Sequence, residues 1–259
     1  VQTRSGADVT VRGAIVDKLH RPGTDPRALR VRLRTAGRVA ALVSPLSDLP
    51  VAVSDRWLTR WPLVETLAAQ PESVPWADIA RLLAALHNEP VAERLPPHGW
   101  PARLRRAVGR ARRHGGHAVV GAAAGLPDDA WRPGSAGRPQ TLVHGDFHLG
   151  QVGRYDGRWQ LIDVDDLGLG DPAWDLARPA GVWAAGLMPD SDWRQFLDAY
   201  REAGGPALPP GDPWPVLEPF ARASVIQSAG NDPDDELLAA ACARMPQLEK
   251  NSRPKPCLR

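Results

Sequence analysis

Cysteine and lysine are both scarce in this chain. Its 259 residues hold two cysteines, Cys242 and Cys257, both in the C-terminal part. They have neither metal-ligand spacing nor the pattern of a disulfide framework, and read as a buried thiol and a tail thiol. No apolar run reaches the about 18 residues that a membrane helix needs. No charged-then-apolar leader opens the chain. The expectation is a cytoplasmic protein with no membrane partner. The net charge is only +2, which removes any overall electrostatic case for nucleic acid. Of 32 basic residues, only Lys18, Lys250 and Lys255 are lysines. A GC-rich coding bias explains the arginine excess, and against it Lys18 stands alone in the part expected to be ordered. A hydrophobic content of 43% is enough to build a core for one large domain or two small ones.

What is present is concentrated between Leu142 and Leu176, LVHGDFHLGQVGRYDGRWQLIDVDDLGLGDPAWDL. A short apolar run ending in Leu142-Val143 is broken by His144-Gly145-Asp146. Two strand-like runs follow, from Gln151 to Arg154 and from Trp159 to Ile162, with Asp156-Gly157 between them. Asp-Gly at that place is the strong signal for a two-residue hairpin turn. The turn predicts a register in which Tyr155 faces Arg158, Gln151 faces Ile162 and Gly150 faces Asp163. Gln151 and Asp163 are then one step apart across the ladder, within about 8 Å. With Asp146 leaving the preceding loop on the same side, two carboxylates and an amide oxygen gather around one point. Oxygen-only ligands suit a hard cation such as Mg2+, which also takes substrate phosphates.

The blocks His144-Gly-Asp-Phe-His-Leu-Gly-Gln151 and Leu161-Ile-Asp-Val-Asp-Asp-Leu-Gly-Leu-Gly-Asp-Pro-Ala-Trp-Asp-Leu176 resemble the catalytic core of the aminoglycoside phosphotransferase and choline kinase-like family. The resemblance implies an α+β, protein-kinase-like bilobal fold. A small, shortened N-terminal β lobe (1–62) would bind nucleotide. A larger, mostly helical C-terminal lobe (63–247) would carry catalysis and acceptor binding, followed by a disordered tail (248–259). It further implies transfer of the ATP γ-phosphoryl group to a small-molecule hydroxyl acceptor with Mg2+ as cofactor. Asp146 would be the catalytic base, and Asp163 a metal ligand. Gln151 stands where the family has Asn, as in the similar maltokinase-like branch, and keeps an amide oxygen for the metal on a longer stem. His144 and Asp171 would orient the loop, Asp175 would be structural, and Asp165 or Asp166 would touch metal or acceptor. That Gln-containing signature points toward a sugar, an amino sugar or an aminoglycoside. In an extended Ala14–His20 segment, Ala14, Val16 and Lys18 share one face; Lys18 would reach the nucleotide phosphates and Val16 the adenine.

Three features depart from the family pattern. Only 17 residues precede Lys18, the first of them is not Met, and no Gly-x-Gly-x-x-Gly loop occurs, so the lobe is shortened, by processing, truncation or a short lid. No acid lies between Arg27 and Val39 to pair with Lys18 from the first helix, unless Asp25 does so. The third is Gln151 itself. These motivate a second reading, a non-catalytic kinase-like protein that binds nucleotide or a small molecule. A third reading, a metallohydrolase built on His144, Asp146, His148 and Asp163, needs converging nitrogen ligands, and the glycines around His148 argue against the helix that would converge them.

Elsewhere the pattern predicts mostly helices. Asp25-Pro26 should start one, with Leu29, Leu33 and Ala36 as its buried stripe and Gly37 at its end. Leu58–Pro62 should supply backbone to the adenine edge, with Trp57 and Trp61 as packing residues. A helix is expected from Trp76 to His87, with His87 capping its C-terminus. Another spans 102–113, whose six arginines read as a solvated face around Leu104, Val108 and Ala111; no aromatic residue is interleaved to stack bases. Residues 114–139 read as a loop with one short helix. Helices follow after Asp171, at 190–203, 213–228 and 233–245. Asp232, Asp234, Asp235 and Glu236 read as a helix N-terminus, or as a greeting for a cationic acceptor.

Overall fold

The structure, a computed structural model, describes residues 6–67, 74–91 and 94–252, with side chains through Met245. The N-terminal part is a four-stranded antiparallel sheet and one helix. β1 (Asp8–Arg12), β2 (Ile15–Leu19), β3 (Val51–Val53) and β4 (Arg56–Pro62) lie in the order β1-β2-β4-β3. β2 is central, and its register on β4 sets Val16 opposite Trp61 and Lys18 opposite Thr59. The period of two puts Val16, Lys18 and His20 on one face. Asp17 faces the other way and pairs with Arg12 and Arg60.

Helix α1 (Pro26–Ala36) starts as its sequence predicts. The Asp25 side chain accepts from Arg27 N, Pro26 sits in the first turn, and Leu29, Leu33 and Ala36 are buried. Each leucine so buried contributes roughly 1.5–3 kcal/mol. Gly37 ends the helix in a right-handed conformation, so its lack of a Cβ is not what the turn requires. The segment after α1 then docks on the Asp156-Gly157 hairpin: Val43 N donates to Leu161 O and Leu161 N to Ala41 O, both at 2.9 Å.

That hairpin is β7 (Val152–Tyr155) and β8 (Arg158–Leu161), paired with Tyr155 opposite Arg158 and Val152 opposite Leu161. Asp156 and Gly157 both have positive φ, 49° and 73°, the requirement of the turn that matches strand twist. Ile162 N donates to Gln151 O at 2.9 Å, so the register continues to Gln151 and Ile162 as predicted. Gln151 itself lies in a short 3-10 turn just before β7. β5 (Glu65–Thr66) adds to the far edge of β7, and this short pairing carries the chain out of the first sheet. The backbone from Leu58 to Pro62 is paired along β2 throughout. The other edge of β4 is paired with β3 only from Arg56 to Leu58, and Leu46 N donates to Arg60 O at 2.9 Å.

The remainder is helical: α2 (Trp76–His87), α3 (Trp100–Arg113), α4 (His117–Ala124), α5 (Ala173–Ala184), α6 (Asp190–Glu202), α7 (Trp214–Asn231) and α8 (Glu236–Ser252). Trp174 on α5 is its centre. It is fully buried, stacks on Trp100 of α3 at 5.2 Å between ring centroids and meets Phe220 of α7 at 4.8 Å. Trp76 of α2 meets Phe196 of α6 edge-on at 6.0 Å. A two-stranded ladder, β6 (Thr141–Val143) with β9 (Gly168–Gly170), brackets the segment 144–167. His87 is not a helix cap. It is buried, with Nδ1 2.7 Å from the Tyr200 hydroxyl and Nε2 3.1 Å from Asp175. The expected tail is helical backbone from Leu248 to Ser252, and 253–259, with Cys257, lies outside the described residues. Cys242 is buried, and burial pushes its thiol up to about 11.

Candidate active site

The catalytic loop is hung from one buried carboxylate. Asp175, in the first turn of α5, accepts from His144 N at 2.6 Å and from Gly145 N at 3.0 Å. His87 supports it from behind, and Tyr200 supports His87. Ala207 N donates to the Tyr200 hydroxyl at 3.2 Å; a neutral His87 that gives its Nε2 proton to the Asp175 carboxylate accepts the phenol proton at Nδ1. Burial alone would raise the Asp175 pKa, but the His87 hydrogen bond leads the contacts that hold it below the usual carboxylate range. His144 Nε2 bonds Ile162 O at 2.8 Å, which ties the loop to the strand that leads to Asp163. Gly145 has φ +81°, and a Cβ there would collide with Asp166 O. Only glycine fits both demands.

Asp171 has a different job. It is fully buried, accepts two hydrogen bonds from Arg138 at 2.8 and 2.9 Å and one from Ala173 N at 3.0 Å. The N-cap of α5 is Pro172 rather than the expected Asp171, and the loop-holding contacts of the two acids belong to Asp175.

Asp146 is buried and held at the cavity wall by arginines. Arg103 of α3 donates to it and, with its other terminal nitrogen, to Asp166 at 2.7 Å. Arg178 of α5 lies 3.9 Å from Asp146 Oδ1. That Oδ1 has no hydrogen-bond partner. Burial, only partly offset by Arg103 and Arg178, raises the Asp146 pKa to about 6.

Asp163 takes a left-handed conformation, φ 63° and ψ 75°, which Asp tolerates better than most residues. Its Oδ1 lies 2.7 Å from Lys18 Nζ, and Gln151 Nε2 lies 3.5 Å from its Oδ2. Lys18 also reaches Asp165 at 2.9 Å, and Asp165 pairs with His20 Nδ1 at 3.3 Å. Burial would lower the ammonium, yet Asp163 and Asp165 outweigh it and hold its pKa above the ordinary lysine value. Burial would likewise raise Asp165, and Lys18 followed by His20 brings it well below the carboxylate range. Lys18 is thus paired from the catalytic hairpin rather than from α1. On α1 the inward basic residue Arg32 donates instead to Leu167 O at 2.8 Å. Val16 shares the Lys18 face and packs on the core.

Asp146, Asp163, Asp165 and Asp166 all open into one cavity of about 740 Å³ between α1, α3 and the α7–α8 turn. Its donor set is oxygen-rich. Asp163 Oδ2 and the Gln151 amide converge, and turning that amide over would present its oxygen, a choice set by the hydrogen-bond network. These residues fit a hard cation such as Mg2+. His144 and His148 do not converge with the aspartates: His144 Nε2 is taken by Ile162 O, and His148 Nδ1 accepts from Gly150 N at 3.1 Å. Among the described residues no three His, Cys, Asp or Glu side chains cluster as metal ligands. The metallohydrolase reading therefore lacks its site.

Arg103, Arg178, His20 and His87 carry site contacts that the sequence did not reveal. The arginine run on α3 read as solvated, and five of its six members are exposed, but Arg103 at the helix's inner edge enters the site. His20 had a findable signal, since it lies two residues beyond Lys18 on the same strand face.

A family model, the phosphotransferase enzyme family, matches residues 10–218. A glucosamine kinase from Streptacidiphilus jiangxiensis is 31% identical over 209 residues, 64% of this chain and 46% of that protein. The chain therefore spans under half the length of that curated relative. Among solved structures, a choline kinase from Cryptosporidium parvum aligns with a TM-score of 0.60 at 9% identity, covering 95% of this chain and 89% of the other. An amicoumacin kinase in complex with AMP-PNP and Ca2+ aligns with a TM-score of 0.58 at 14% identity, covering 96% and 90%. These likenesses establish the kinase-like fold expected from the motif, and the match over most of its length makes this chain a member of the phosphotransferase enzyme family.

Proposed function

We propose that the chain is an ATP-dependent kinase that phosphorylates a hydroxyl of a small molecule, a sugar, amino sugar or aminoglycoside. The observation that carries this reading is the buried Asp146 Oδ1, without a hydrogen-bond partner, in the same cavity as Asp163, whose carboxylate Lys18 holds. Asp146 accepts the acceptor's hydroxyl proton. The acceptor oxygen bonds to the γ-phosphorus, the bond to the β–γ bridging oxygen breaks, and ADP leaves. With a loose transition state little deprotonation is needed, so a carboxylate suffices. Lys18 orients the phosphates, and His144 with Asp175 keeps the loop in place. Mg2+, held by Asp163 and Gln151, would neutralise charge that builds on the phosphoryl oxygens. Asp165 and Asp166 hold Lys18 and Arg103 in position.

Two measurements test the reading together. ATP consumption is followed over a panel of sugars, amino sugars and aminoglycosides, and Mg-ATP binding is followed by thermal shift. Asp146→Asn should abolish consumption and keep binding, whereas Asp163→Ala should lose metal-dependent binding. Asp146→Asn that turns over normally would remove the assigned base. Binding by wild type without consumption across the panel would favour the non-catalytic reading, which Gln151 and the lack of an acid on α1 motivate.

A further inference from the structure

Helix α3 lays a stripe of arginines along the cavity. Arg103, Arg106 and Arg110 recur at three and four residues, which puts them on one helix face, and all three line the cavity. Arg21, from the turn between β2 and α1, lines it too. Their situations differ. Arg103 is satisfied by Asp146 and Asp166, and Arg32 by Leu167 O. Arg21, Arg106 and Arg110 form no side-chain ion pair or hydrogen bond with any described residue.

The inner acids make their contacts with other cations: Asp146 and Asp166 share Arg103, and Asp163 and Asp165 share Lys18; Asp166 acts on Arg106 only through space. Asp25 caps α1. On the α7–α8 turn Asp232 has a partner of its own, and Asp234 lines the cavity without coming within ion-pair range of an arginine among the described residues. Burial and then the nearby Arg21 depress the Arg106 pKa, which agrees with two guanidinium groups crowding each other. Like charges gathered at a concave wall stand in place for an anion.

We infer that Arg21, Arg106 and Arg110 form a receptor for an oxyanion, and that the acceptor carries a carboxylate or phosphate group besides the hydroxyl it presents to Asp146. The rise of an α-helix puts Arg106 and Arg110 about 5 and 10 Å along the axis from Arg103. The anion therefore binds one small sugar's length from Asp146. The acceptor half of this inference rests on the kinase reading, and the anion site does not.

Calorimetric titration of the full chain with glycerol 3-phosphate, glycerate and neutral glycerol tests it. Both anions should bind and glycerol should not, and the tighter of the two identifies the oxyanion. Arg106→Gln and Arg110→Gln should each weaken the anion tenfold or more. Arg112→Gln, off the cavity on the same helix, should change it less than twofold. Binding should persist at saturating Mg-AMP-PNP. No anion binding by wild type, equal binding by the Arg106 and Arg110 variants, or displacement of the anion by AMP-PNP would each overturn the site; displacement would give the arginines to nucleotide phosphates. None of these readouts needs turnover, so a chain that fails to phosphorylate anything sinks the kinase reading and leaves the anion site to be judged by itself.

Discussion

Lys18 Nζ lies 2.7 Å from Asp163 Oδ1, across 145 residues of chain. One partner is on the central strand of the N-terminal sheet and the other just past the catalytic hairpin. The pair, with Asp165, is the polar clamp across the site between the two parts. Breaking it by Lys18→Met leaves two carboxylates facing each other. Asp163 and Asp165 are each about a third exposed, 33% and 30%, so the cost falls below that of a fully buried pair, about 1–3 kcal/mol. Urea unfolding should read that loss, and Mg-ATP affinity should fall at least tenfold. Unchanged nucleotide affinity would separate Lys18 from the phosphates.

Asp146 gives a pH signature. Its pKa in the folded chain is raised to about 6, against about 3.9 unfolded. The folded state thus binds the extra proton between those values, and stability from this group falls as pH rises through about 6. Between pH 5 and pH 8 the loss is about 1–2 kcal/mol. Asp146→Asn abolishes it, so the variant should gain on wild type by that amount over the same span in urea titrations. In the proposed role Asp146 works as the ionised base, so kcat/KM should climb to a plateau above about pH 6. A profile flat down to pH 4.5 would mean another group takes the proton.

The Asp175–His87–Tyr200 chain is wholly buried. Asp175→Ala strands two loop amides and His87 at once. A stability loss of about 3–5 kcal/mol is expected. Tyr200→Phe removes only the outermost link and should cost about 1–2 kcal/mol. Equal losses would show that the chain does not act as a hierarchy.

Gly145→Ala meets both a positive φ and the Asp166 carbonyl. Stability should drop by about 1–3 kcal/mol. Because the same shift moves Asp146, kcat should fall a hundredfold or more, while Mg-ATP affinity changes little. A fully active alanine variant would mean the loop has room that the geometry denies.

Local rules read much of this molecule without its fold. The Asp156-Gly157 turn set the register from Gln151 to Ile162, because a two-residue turn leaves one pairing open. The Asp25-Pro26 start and the Leu29, Leu33, Ala36 stripe located α1, and Trp76–His87 emerged from its period. These are short-range matters of φ, ψ and alternating faces, which a sequence states directly.

Other features were decided only by tertiary packing. Arg103 differs from its helix neighbours by one thing, that α3 turns it toward Asp146, and no pattern along α3 encodes what lies opposite. His87 resembles a helix cap until α6 brings Tyr200 against it, and the loop-holding acid is Asp175 rather than Asp171 because α5 aims Asp175 at the His144 and Gly145 amides while Asp171 meets Arg138. Lys18 was marked by its rarity and its motif, but its partners on the hairpin were not. The sequence alone determined which groups could do chemistry. Which of them share a buried space, and so have their charges and protons tied together, followed from packing, since Coulomb and desolvation energies depend on distance through space and not along the chain.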